Sequence, residues 1–109
     1  MSPFLFDHER MDVFRLAVEV NHWFANASFP SGRAHLRDQG LRASDSVVLN
    51  LAEGLPNRKK PMGKRHFRIA LGSAAEAAVV LALLPTLPGA HDTLLKLRRV
   101  GAMLAALAR

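Results

Sequence analysis

Two sets of residues between Ser46 and Glu76 have types and spacing suited to chemistry. The first is Asn50, Glu53, Ser73 and Glu76, polar residues set among Val, Leu, Ile and Ala. Asn50 and Glu53 are three residues apart, as are Ser73 and Glu76, so each pair shares a helical face. If the two segments pack in opposite directions, the pairs meet near Gly54. A carboxylate buried there requires a charged or multiply hydrogen-bonded partner, for which Arg42, Arg65 and Arg68 are candidates. The set then serves either as a structural network that fixes helix register and caps loop amides, or as an acid/base pair built on Glu53 and Glu76. A catalytic pair needs a nucleophile, metal ligands or a pocket beside it, and the sequence displays none. The expectation is a structural polar network and no enzyme.

The second set is cationic. Arg58, Lys59, Lys60, Lys64, Arg65 and Arg68 follow one another with no acid between Leu55 and Ala75. They fall on a loop and on the first turns of a helix, where positive charge opposes the helix dipole. That arrangement implies either a neighbouring acid or a use for the charge. Phosphate neutralisation is the natural use, because counterion release drives binding without reading sequence. Phe67 is the one aromatic interleaved, so base stacking has little support from this segment. The alternative is a solvated basic loop.

Other site chemistry is sparse. His8, His22, His35, His66 and His91 have no i, i+4 pairing and no cysteine beside them, so no metal site is expected. His66 borders the basic block and adds charge at low pH. Gly63-Lys64 lacks the upstream glycine and preceding strand of a phosphate loop. No cofactor is implied. The absence of cysteine excludes a disulfide framework and thiolate catalysis and fits a reducing cytosol. A net charge of +6 and a pI near 11.1 favour an anionic partner. The opening MSPFLFDHERMD carries acids and no apolar leader segment. The longest apolar run, Ile69 to Leu84, contains Glu76 and is shorter than the roughly 20 residues of a membrane span. A soluble, cytoplasmic protein with no membrane partner is expected.

The elements that would position these residues are helical throughout. At 109 residues the chain is read as one domain spanning 1–109. Periodicity predicts helix one over Asp7 to Ala27, with Asp7 as cap and Phe6 and Met11 as a hydrophobic staple; its stripe is Val13, Leu16, Ala17, Val20, Phe24 and Ala27. Helix two is predicted from Arg33 to Glu53 on Leu36, Gly40, Ala43, Val47 and Leu51, with a polar line at Gln39, Ser46, Asn50 and Glu53. Gly54 stands where a left-handed cap is wanted, and Pro56 follows. Helix three is predicted from Pro61 to Leu84 and is apolar nearly all round after Ile69, with alanines at 70, 74, 75, 77, 78 and 82. Such a helix must be covered on every side, so a homo-oligomer interface is expected. Pro85, Pro88 and Gly89 make a turn, and helix four is predicted over Asp92 to Ala108 with Leu94, Leu97, Val100, Leu104 and Leu107 inward. The fold class is all-α: an antiparallel up-down-up-down four-helix bundle.

Asn50-Leu51-Ala52-Glu53-Gly54, then Arg58, then Phe67-Arg68-Ile69-Ala70-Leu71-Gly72-Ser73 with Glu76, resembles the small four helix bundle protein family. That family is named for proteins encoded in intervening sequences of bacterial large-subunit ribosomal RNA genes. Its pattern is N-I-A-E-G, a basic residue shortly after, and R-F-L-x-I-A-x-G-S-x-x-E, and the resemblance covers nearly the whole chain. It implies a four-helix bundle assembled into a homopentameric ring. It also implies kinship with the accessory variability determinant of diversity-generating retroelements, a basic pentamer that works with a reverse transcriptase and nucleic acid. The chain departs from the pattern at Val48, where proline is common, and at Leu55-Pro56-Asn57 and Pro61-Met62-Gly63 beside the basic block.

Together these readings predict a non-enzymatic, oligomeric helical bundle acting as an accessory or adaptor factor. It would bind RNA, DNA or a nucleoprotein partner through Arg58, Lys59, Lys60, Lys64, Arg65 and Arg68. The alternative is a protein–protein assembly module with no nucleic-acid role.

Overall fold

In a computed structural model, residues 5–109 are described; Met1 to Phe4, the first residues of the stretch read as lacking a leader, lie outside them. Among the described residues there are four α-helices and no strand: α1 (Asp12–Asn26), α2 (Ala34–Gly54), α3 (Pro61–Leu83) and α4 (Ala90–Leu107). Each helix packs on two others, α1 on α2 and α4, and α3 on α2 and α4, with the α2–α3 seam the most extensive. The predicted stripes meet in the centre. Val13, Ala17, Val20 and Phe24 from α1 face Leu36, Ala43, Val47 and Leu51 from α2 and Leu97, Val100 and Leu104 from α4. Phe67, Ala70, Ala74, Ala77, Val80 and Leu81 complete the core from α3.

The predicted first helix is broken. Asp7–Arg10 form a separate 3₁₀ turn, Met11 takes an extended conformation (φ −91°, ψ 131°), and α1 begins only at Asp12. Asp7 therefore does not cap α1, and Met11 stands at the N-cap of that helix and not at the inner position of the predicted staple. Instead the Glu9 carboxylate accepts the Phe6 N–H at 2.7 Å, closing the turn early, and Met11 packs against the core.

Gly54 also differs from expectation. Its φ is −81°, so it is no left-handed cap, and the chain runs on through a second 3₁₀ turn, Leu55–Asn57, that contains Pro56. The glycine is required for closeness instead. A Cβ on Gly54 would lie 2.7 Å from the Phe67 ring and 3.0 Å from the Gly63 carbonyl oxygen, and one on Gly63 would overlap the Asn57 carbonyl. Two glycines and one phenylalanine thus let the end of α2 and the start of α3 cross in contact. The loop carrying the cations is held against that crossing.

At the other end of the bundle, Trp23 packs on Gly89 and its indole N–H donates to the Pro88 carbonyl at 3.3 Å. Gly89 has φ 83° and turns the chain into α4. By length and composition α3 is long and apolar enough to cross a membrane; here it forms one corner of the bundle.

Candidate nucleic-acid interface

The predicted polar set divides into three parts. Asn50 on α2 donates through Nδ2 to the Ser46 carbonyl at 2.9 Å and to Ser46 Oγ at 3.2 Å. Ser46 Oγ shares a 2.7 Å hydrogen bond with Ser73 Oγ on α3. On its carbonyl side, Asn50 Oδ1 lies 2.9 Å from His66 Nδ1. An amide oxygen can only accept, so His66 Nδ1 is the donor in this bond. Asn50, Ser46, Ser73 and His66 therefore form one half-buried track between α2 and α3. Partner numbers fall along α3 as they rise along α2, from Gln39–Glu76 through Ser46–Ser73 to Asn50–His66.

The two carboxylates stand apart from this track. Glu76 is exposed and accepts from Gln39 Nε2 at 3.4 Å. Glu53 is exposed and has no polar partner among the described residues. Neither is buried, so neither needs the arginine partner anticipated for it. The described residues hold two ion pairs, Arg37–Asp38 at 3.7 Å and Lys96–Glu19 at 3.9 Å, and neither involves Arg42, Arg65 or Arg68. The set does not converge into an acid/base pair because Glu53 and Glu76 lie on the outer side of the seam that Asn50 and Ser73 occupy.

The cationic block also divides. Arg58 Nη1 donates to the Leu55 carbonyl at 2.8 Å and closes the second 3₁₀ turn. Lys64 Nζ reaches the Arg109 carbonyl, and Arg68 Nη1 lies 3.4 Å from the Ala108 carbonyl. Ala108 and Arg109 follow directly on the C-terminal end of α4, the negative end of its dipole, so cations there are favourable by about 0.3–1 kcal/mol each. Charge that opposes the dipole of α3 thus serves the neighbouring helix. Lys59, Lys60 and Arg65 serve no carbonyl in this way. All three are exposed, with no polar partner among the described residues. Arg58, Lys59 and Lys60 line one side of an open cleft with Pro56, Asn57 and Asp7.

Two polar contacts escaped the sequence reading. The His66 bond to Asn50 had a signal, since a histidine at the start of an apolar helix faces the polar line of α2. Asn21 on α1 donates to buried Ser44 at 3.1 Å and to Asp45 at 2.6 Å, tying α1 to α2. Its only mark in sequence is an asparagine beside an apolar stripe, which could equally be surface.

A family model described as 23S rRNA-intervening sequence protein matches residues 9–104. No curated protein matches the chain. The matched span takes in the crossing of Gly54 on Gly63 and the whole polar track, and the chain belongs to that family.

Proposed function

We propose that this member of the 23S rRNA-intervening sequence protein family is a non-enzymatic accessory or adaptor protein. Its helices form an antiparallel up-down-up-down bundle, several copies associate, and the assembly holds RNA, DNA or a nucleoprotein on its cationic end. The opposite numbering order of the α2–α3 hydrogen bonds supports the antiparallel arrangement.

The observation that carries association is the outer face of α3. Met62, Arg65, Ile69, Gly72, Glu76, Val79 and Leu83 recur at alternating three- and four-residue steps, the spacing of a seam that another helix covers. Met62, Val79 and Leu83 are each more than half exposed, and Leu49 of α2 is 65% exposed. Only 33% of the most apolar 18-residue window of α3 is buried within one chain. Exposed apolar surface of this extent marks an interaction site. A second copy is the simplest cover, and the resemblance noted from the sequence gives five copies in a ring. Each copy would repeat Lys59, Lys60 and Arg65, so weak phosphate contacts add through multivalency. A reverse transcriptase is the nucleoprotein partner that the same resemblance offers.

Light scattering should give a mass several times the 11.9 kDa chain; a single-chain mass at micromolar concentration would remove the assembly. RNA retention should fall steeply with salt, with a log–log slope near −0.7 to −0.9 per phosphate contacted. Joint reversal of Lys59, Lys60 and Arg65 to Glu should abolish retention without altering helicity. Retention unchanged by that reversal would move the function to another surface, and recovery of one protein partner after nuclease treatment would favour a purely protein–protein role.

A further inference from the structure

Helix α3 packs on α2 along one flank and on α4 along the other, so α2 and α4 stand at opposite corners of the bundle. Their heights can be compared through α3. Ser46 on α2 meets Ser73. Two residues earlier on α3, Leu71 faces Gly101 of α4, where a Cβ would lie 3.9 Å from the leucine side chain. Ser46 is therefore about level with Arg99. In the antiparallel arrangement proposed above α2 and α4 run the same way, so the residues that follow Ser46 stay level with those that follow Arg99.

The outward edges of these two helices carry complementary chemistry at matching heights. On α2, Asp45 and Leu49 are one turn apart and face away from the core. Asp45 is exposed and accepts from Asn21 through Oδ1 at 2.6 Å, which leaves its other oxygen to solvent. Leu49 is 65% exposed. On α4, Arg98 and Arg99 are exposed, with no polar partner among the described residues. Ala102 and Ala106 continue the same edge, also exposed, and their methyl groups leave a shallow hollow. An acid is thus level with two arginines, and a protruding leucine is level with the hollow. The two edges cannot meet within one chain, because the core lies between them.

A second copy rotated about an axis parallel to the bundle keeps every height and brings its α4 edge beside the first copy's α2 edge. We propose that copies of this chain join head to tail through these edges. Asp45 of one copy lies on Arg98 and Arg99 of the next, and Leu49 seats between Ala102 and Ala106. This contact rests on the association reading above and adds the two surfaces that meet. Two different faces are used, so the contact repeats from copy to copy and closes as a ring. The exposed stripe of α3 stands between the two edges of each copy, so closure gathers the stripes around the common axis. The charges decide which edges meet more than how tightly they hold. Arg42, one turn before Asp45, adds like charge near the arginines and weakens the contact.

The chain has no cysteine, so the test is cross-linking of the full chain through introduced cysteines, read on a non-reducing gel. Leu49→Cys with Ala102→Cys in one chain should give a ladder of covalent multimers that ends at the number of copies in the assembly. Each single-cysteine variant should stay at the one-chain mass. Dimers from Leu49→Cys alone would show like edges meeting and would overturn the head-to-tail contact. No cross-link in the double variant, in a protein whose native mass is several chains, would overturn this inference alone. A native mass of one chain removes it together with the association reading. By light scattering, Asp45→Arg should cut the mass towards one chain, and adding Arg98→Asp and Arg99→Asp should restore it. An unchanged mass in the first variant, or no recovery in the second, would overturn the charge match. Asn21→Ala breaks the same hydrogen bond within the chain and should leave the mass unaltered. A loss there equal to that of Asp45→Arg would trace the effect to the fold and overturn the charge match as well.

Discussion

The two sides of α3 have similar composition and opposite fates. On the inner side Phe67, Ala70 and Ala77 are fully buried, and the Phe67 ring fills the crossing of Gly54 and Gly63. On the outer side Ile69, Val79 and Leu83 are open to solvent. Each side carries a polar residue: Ser73, half-buried and bonded to Ser46 across the seam, and Glu76, exposed and lightly held by Gln39. The inner side is satisfied within one chain and the outer side is not. Hydrophobicity alone therefore does not say what a helix packs against; the small residues that permit close approach do.

That contrast can be broken from the inside first. Phe67→Ala should cost about 3–5 kcal/mol, the range for emptying a buried aromatic site. Gly63→Ala should follow, at about 1–3 kcal/mol, because its methyl group meets backbone that cannot swing aside. Both losses should appear as a lower midpoint in urea at every protein concentration. Ser73→Ala comes next, at about 1 kcal/mol, since it removes one partner of a half-buried hydroxyl pair. The outer side sharpens the comparison. Val79→Ser with Leu83→Ser should change the stability of a single chain by no more than about 0.5 kcal/mol per site, yet remove the dependence of the midpoint on protein concentration that association imposes. A midpoint that depends on concentration in the native protein and equally in that variant would show that the outer stripe covers nothing.

The helical class, the end of α1 and nearly all of α3 could be read from the sequence because periodicity and proline act locally. The inward residues of α2 were legible for the same reason. What could not be read depended on the partner. Gly54 looks like a cap by position, and only the approach of Gly63 and Phe67 shows that it is a contact. Glu53 and Glu76 share helical faces with Asn50 and Ser73, yet their offset around the axis leaves them outside the seam. Lys64 and Arg68 read as free charge because the end of α4, which they serve, is some forty residues distant.

Trp23 is the single tryptophan of the chain, and its indole is lodged on the turn before α4. It lies near the end of α1, about 17 Å of helix away from the start of that helix, beside which the cationic cleft opens. Its emission should therefore register whether that corner is closed while staying blind to whatever occupies the far end, an internal optical probe for unfolding that needs no label.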